Sequence, residues 1–201
     1  YGPDGESPVD DSDLTEHLDS QMYELAYVNI PLYNTSTFVS ASDDQKAQML
    51  QLAQAAAASC SETQDGSVSE QVSALHSAAS AALPDIYAVL GSTPSDTNVQ
   101  TELLGSSTLD STFTQSGSAD TIRNLAYGQA AAVQYSSYAM MLALRVDPLS
   151  VASLDDLRDQ VITDMKTSEL KTALSDSGAS LENHLDTSAM NKLPMTRIVN
   201  K

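Results

Sequence analysis

Residues 118–146, SADTIRNLAYGQAAAVQYSSYAMMLALRV, decide how the fold is read. Ile122, Leu125, Gln129, Val133, Ser136, Met140 and Leu144 recur every three or four residues, the spacing of one helix face. Asp147-Pro148 ends the pattern, because the residue before a proline is pushed out of the α region. The spacing predicts one helix about 40 Å long at 1.5 Å per residue. It would be the longest element and the spine of the protein.

Working outward, residues 105–118 (GSSTLDSTFTQSGS) read as a Ser/Thr/Gly loop. A short helix is expected over 95–104. Upstream, three capping boxes announce further helices: Asp13 with Glu16, Ser42 with Gln45, and Ser67 with Glu70. Each precedes an apolar stripe. The first is Leu14, Leu18, Met22 and Leu25; the second Met49, Ala53, Ala56 and Cys60; the third Val68, Val72, Leu75, Ala79 and Ala82. Pro31 stops the first, and residues 31–41 form a connector with an apolar patch at Phe38 and Val39. Pro84 kinks or restarts the third, and Gly91 suits its C-terminal cap. Downstream, Ser153 and Asp156 cap a helix with Leu154, Leu157, Val161 and Met165 on one face, broken at Ser177-Gly178. No stretch alternates apolar and polar residues as a half-buried strand does.

These features predict an all-α fold: an antiparallel bundle of four or five long helices plus short ones, with extended termini. Residues 1–12 would be an extended acidic arm, 13–190 the bundle with an internal boundary at 105–118, and 191–201 a basic, apolar tail.

The charge is lopsided. Residues 1–122 carry 18 acids against the single base Lys46, while residues 123–201 carry 9 acids against 8 bases. Such a field repels phosphate backbones and anionic lipid surfaces, so nucleic-acid binding is not expected. Acidity serves solubility, docking on a basic partner or high-salt adaptation, and the lopsided distribution fits the last least. No apolar run is long enough to span a bilayer. Cys60 is the only cysteine, so no intrachain disulfide forms. The start at Tyr1 suits either a processed or a trimmed chain, and a secretory, periplasmic or organelle-lumen location is the expectation that fits it. The thylakoid lumen is one candidate, by analogy with small extrinsic helical subunits. Asn34-Thr35-Ser36 is a glycosylation sequon that matters only in a secreted chain.

Motifs for phosphate loops, nucleophile elbows, zinc proteases, di-iron bundles and calcium loops are all missing, so no catalytic residue and no metal ligand is assigned. Cys60 reads as a buried thiol. His17 lies four residues after Asp13, so the two can pair on one helix face. His184 lies between Leu181 and Leu185 and reads as a solvated position. His76, in the Ala-rich segment Ser73–Ala79, is where a flat ligand could approach a helix closely. That one helix is faintly similar to the Ala-rich helices of peridinin–chlorophyll proteins, where a His lies near the chlorophyll; no motif elsewhere matches, and no family follows.

The first expectation is therefore a non-catalytic acidic subunit that docks on a larger protein assembly, peripheral to a membrane complex rather than spanning the membrane. Its partner would offer a basic surface. Asp4, Glu6, Asp10 and Asp11 at one terminus and Lys192, Arg197 and Lys201 at the other would make the contacts. The alternative is a ligand-binding bundle with no obligate cofactor, holding an apolar pigment or lipid against His76, Leu75 and Ala79.

Overall fold

A computed structural model describes residues 9–60, 66–94 and 98–181, with side chains through 175. Helix α1 (Asp11–Gln21) runs straight into strand β1 (Met22–Pro31). Two long helices follow, α2 (Asp43–Cys60) and α3 (Val68–Val89), then strand β2 (Gln100–Gly105) and short helices α4 (Ser106–Thr112) and α5 (Ser118–Arg123). Strands β3 (Ala130–Gln134) and β4 (Ala139–Val146) form a hairpin. The short α6 (Pro148–Val151) and the long α7 (Leu154–Leu181) complete the described chain.

The all-α bundle is thereby corrected: the protein is mixed α/β, built on a four-stranded antiparallel sheet in the order β2-β1-β4-β3. The helix expected over 118–146 keeps only its first turns, as α5. Gly128 takes φ of +78°, a conformation costly for other residues, and turns the chain. Ser136-Ser137-Tyr138 then turn it again between β3 and β4. The helical stripe had included Gln129 and Ser136, polar residues that a buried helix face would not choose. In the described part of the short helix expected over 95–104, the edge strand β2 stands instead, and Met22 and Leu25 belong to β1 rather than to the first helix.

The absence of alternation has a physical cause. The sheet is covered on both faces, and strands buried on both faces read as nearly continuous apolar runs. On one face Ala26, Val28, Ile30, Met140, Leu142 and Leu144 pack beneath the α2–α3 hairpin. On the other Tyr23, Leu25, Met141 and Ala143 meet Leu109, Phe113 and Ile122 of the short helices and their connections. The register places Ala26 and Ala130 on either side of Leu144.

The helix starts were read correctly for α2, α3 and α7. Ser42 and Gln45 exchange backbone-to-side-chain bonds, as do Ser67 with Glu70 and Ser153 with Asp156. Helix α1 begins earlier than expected, capped by Asp10 with Asp13 as its box partner. Pro84 is accommodated inside α3, and Gly91 follows that helix at φ of +62°. Helix α7 runs on through Ser177-Gly178. No described helix is long and apolar enough to cross a membrane.

A third apolar cluster joins Leu14, Leu18 and Met22 to Val161 and Met165, so α7 lies along α1. This pair sits where β1 begins and β4 ends. The opposite end of those strands, about 30 Å away for a strand of this length, is formed by the loop after Pro31, the end of α3 and the β3–β4 turn.

Candidate functional site

The α1–α7 pair brings two acidic segments of the sequence side by side. Helix α1 and its cap carry Asp10, Asp11, Asp13, Glu16 and Asp19 without a Lys or Arg. Alongside, α7 brings Asp155, Asp156, Asp159, Asp164, Glu169 and Asp176 with Arg158, Lys166 and Lys171. The charge that looked like a property of the first half of the sequence is therefore shared by an element from its far end.

Two polar contacts hold the pair together. Arg158 bridges Asp11 on α1 and Asp155 on its own helix. His17 Nε2 and Asp164 Oδ2 lie 2.8 Å apart, with side chains only 14% and 11% exposed. The expected partner of His17 was Asp13; the carboxylate that reaches it lies 147 residues away. Gly105, at the end of β2, makes room for this contact, since a Cβ there would run into the Asp164 carboxylate. The nearby Ser20 hydroxyl donates to the Glu16 carbonyl at 2.7 Å, so it is committed to its own helix rather than to the imidazole. The arrangement works as a clasp.

A test of the clasp follows. Gly105→Ala should displace Asp164 and cost about 1.5–3 kcal/mol, the worth of a hydrogen bond to a carboxylate. In an Asp164→Ala background the same change should cost almost nothing. Urea melts of the four chains check this; equal costs in both backgrounds would contradict the contact.

Asp10 and Asp11, expected as partner contacts, are exposed but employed: Asp10 accepts from the Asp13 N–H at 2.9 Å, and Asp11 holds Arg158. Asp4, Glu6, Lys192, Arg197 and Lys201 lie outside the described residues, as do His184, most of the 1–12 arm and the whole tail. The ligand candidates do not share one environment. Leu75 and Ala79 are buried in the core beneath the sheet-facing side of α3, and His76 is exposed to solvent. Clefts of about 460 and 550 Å³ are lined by other residues, one by Gln54, Gln115 and Gln134, the other by Ser67, Gln71 and Tyr127. Cys60 is buried, and burial pushes its thiol pKa up, which suppresses the reactive thiolate.

Sequence reading missed Arg145. Its side chain leaves β4 between the rings of Tyr23 and Tyr127, with centroids 4.8 and 4.9 Å from the guanidinium carbon. It donates to the Leu125 carbonyl at 2.8 Å and to the Asp19 carbonyl, in the last turns of α1, at 3.3 Å. The Nε has no hydrogen-bond partner among the described residues. This arginine fixes the acidic helix α1 to the sheet through aromatic faces and carbonyls rather than through a carboxylate.

Glu24, also near this end, sits half-buried on β1. Burial, and then the neighbouring Glu102, raise its pKa above the ordinary 4.5. The folded state then binds that proton more readily than the unfolded chain. Its contribution is fully present below 4.5 and is lost as pH rises through the raised value. Glu24→Gln is expected to raise the melting temperature at neutral pH and to give no gain below about pH 4. A gain that persists in acid would contradict the assignment.

No protein-family profile, curated protein or solved structure matches the chain.

Proposed function

We propose that this protein is a non-catalytic subunit that docks, through the acidic α1–α7 pair, on a basic surface of a larger protein assembly. The observation that carries the reading is the convergence of acids from Asp10–Asp19 and Asp155–Asp164 on two adjacent helices, clasped by Arg158 and by the His17–Asp164 contact. Complementary potentials of this kind steer encounter and set partner choice, while exposed ion pairs each add only about 0–1 kcal/mol. Association should therefore weaken steeply between tens and hundreds of millimolar salt, as the Debye length falls to about 10 Å at 0.1 M.

Deleting residues 1–12 would remove the α1 cap and the Asp11–Arg158 contact along with the arm. Charge reversal at Glu16 and Asp159, both exposed, separates docking from folding. The double variant Glu16→Lys, Asp159→Lys should lose at least about tenfold in affinity for the native partner assembly and keep its thermal melt. Undiminished binding, or association indifferent to salt, would sink the reading.

A further inference from the structure

The sheet has two edges, and the fold treats them differently. An open edge strand is a template for another strand, so proteins cover it, shorten it or guard it with charge and proline. At β2 the cover is α7, whose Gln160 Nε2 donates to the Leu103 carbonyl at 3.0 Å. The other edge, β3, has the sequence AAAVQ, without a charged residue or a proline.

The ladders show which backbone groups of β3 are spare. The Leu32 N–H donates to the Tyr138 carbonyl at 2.8 Å, and the Arg145 N–H to the Gln129 carbonyl at 3.0 Å. With the register, these bonds turn the backbone groups of Met140, Leu142 and Leu144 toward β1, and those of Met141 and Ala143 toward β3. On β3, Ala131 and Val133 therefore bond to β4, and the N–H and C=O of Ala132 and Gln134 point away from it. No described residue bonds to these outward groups. Ala132 is only 7% exposed, a setting in which an unpaired backbone group is costly unless something reaches it.

Both residues line the cleft of about 460 Å³, which is within the size range of ligand sites. Leu50 and Gln54 of α2 form one wall, and Gln115 and Thr121, before and within α5, form the other. No side chain lining the cleft is charged. In sequence the closest charged residues are Lys46, Asp120 and Arg123. Each is held in an ion pair, Lys46 by Asp43 and Arg123 by Asp120.

We infer that the β3 edge receives an extended, uncharged segment of a partner protein as a fifth strand of the sheet. The spare groups of Ala132 and Gln134 lie two residues apart, about 6.6–6.8 Å along the strand. That is the repeat of an extended backbone, whose own N–H and C=O groups pair with them in strand addition. Side chains of the incoming strand alternate between the Leu50–Gln54 wall and the Gln115–Thr121 wall. A charge carried in would lose water and find no counterion on either wall. A second copy of this chain would bring one net charge of −18 against another, and that repulsion opposes the pairing of two β3 edges. The cleft uses none of the acids assigned to docking, so strand addition and salt-dependent docking succeed or fail separately.

Hydrogen exchange of the full-length protein, followed residue by residue, reads the alternation directly. In the free protein the Ala132 and Gln134 amides should exchange fast and those of Ala131 and Val133 slowly. The probe is the blocked peptide acetyl-Thr-Val-Gln-Val-Thr-amide at millimolar concentration. It should slow exchange at Ala132 and Gln134 at least about tenfold and leave Ala131 and Val133 unchanged. The same peptide N-methylated throughout should have no effect. Ala132→Pro should abolish the protection and keep the thermal melt, because that N–H lies outside the ladder. Gln54→Trp, from an exposed position on α2, narrows the cleft without touching β3 and should also abolish it. The inference is overturned by unchanged exchange with the peptide, by equal protection from the methylated form, or by protection at Thr101 on β2 instead. Protection that survives in both variants also overturns it. So does alternating protection that grows with protein concentration without peptide, which gives the edge to a second copy of the chain.

Discussion

Leu144→Ala is expected to lower stability by about 2–5 kcal/mol, the range for a buried leucine whose cavity cannot collapse. Leu144 is fully buried on the central strand β4. Its neighbours across both ladders are alanines, Ala26 and Ala130, so no large side chain stands opposite it on either adjoining strand to relax into the space. Leu142→Ala should cost nearly as much, because the same face of the sheet buries it beneath α2 and α3. Leu170→Ala and Leu174→Ala, on the exposed part of α7, should stay within about 0.5 kcal/mol of the parent. Urea denaturation of the four variants measures this. Costs at Leu170 matching those at Leu144 would mean that the far part of α7 is packed and the core is drawn wrongly.

Arg145→Leu is expected to cost about 2–4 kcal/mol, since it strips donors from two carbonyls and removes a cation held between two rings. The leucine leaves the Leu125 and Asp19 carbonyls without their guanidinium, and Tyr23 and Tyr127 without the charge between them. Arg145→Lys should recover less than half, because an ammonium cannot lie flat between two rings while donating to two separated carbonyls. Because Arg145 ties α1 to β4, the loss should be largest in the α1 amides when hydrogen exchange is followed residue by residue. A uniform loss, or full recovery by lysine, would show that the site supplies only charge.

Helix starts were legible in the sequence because they are local. A serine or aspartate and its partner three residues on satisfy each other within one turn, and the boxes at Ser42, Ser67 and Ser153 did so. The sheet was not legible because its determinants are distant. Ala130–Val133 and Ala139–Leu144 are rich in alanine and leucine, which suit helices, and neither strand keeps a polar face to reveal a period of two. What marked the break was Gly128, with polar Gln129 and Ser136 in a stripe that should have been apolar. The acidic character was legible and its location was not. Only the packing of Val161 and Met165 against Leu14 and Leu18 brings the second set of acids beside the first. The apolar patch at Phe38 and Val39 was visible as a patch; its outward display, with Phe38 at φ of +57°, depends on Asn34 reaching the end of α3.

The docking reading requires that the sheet hold the acidic helix pair where β1 begins and β4 ends. Backbone nuclear Overhauser contacts across β1, β4 and β3 test this most directly. The structure predicts cross-strand contacts of Leu144 with Ala26 and Ala130, and of Met140 with Ile30 and Gln134. An unbroken series of contacts between residues three apart from Asn124 to Val146, without these cross-strand pairs, would restore the single long helix and contradict the account.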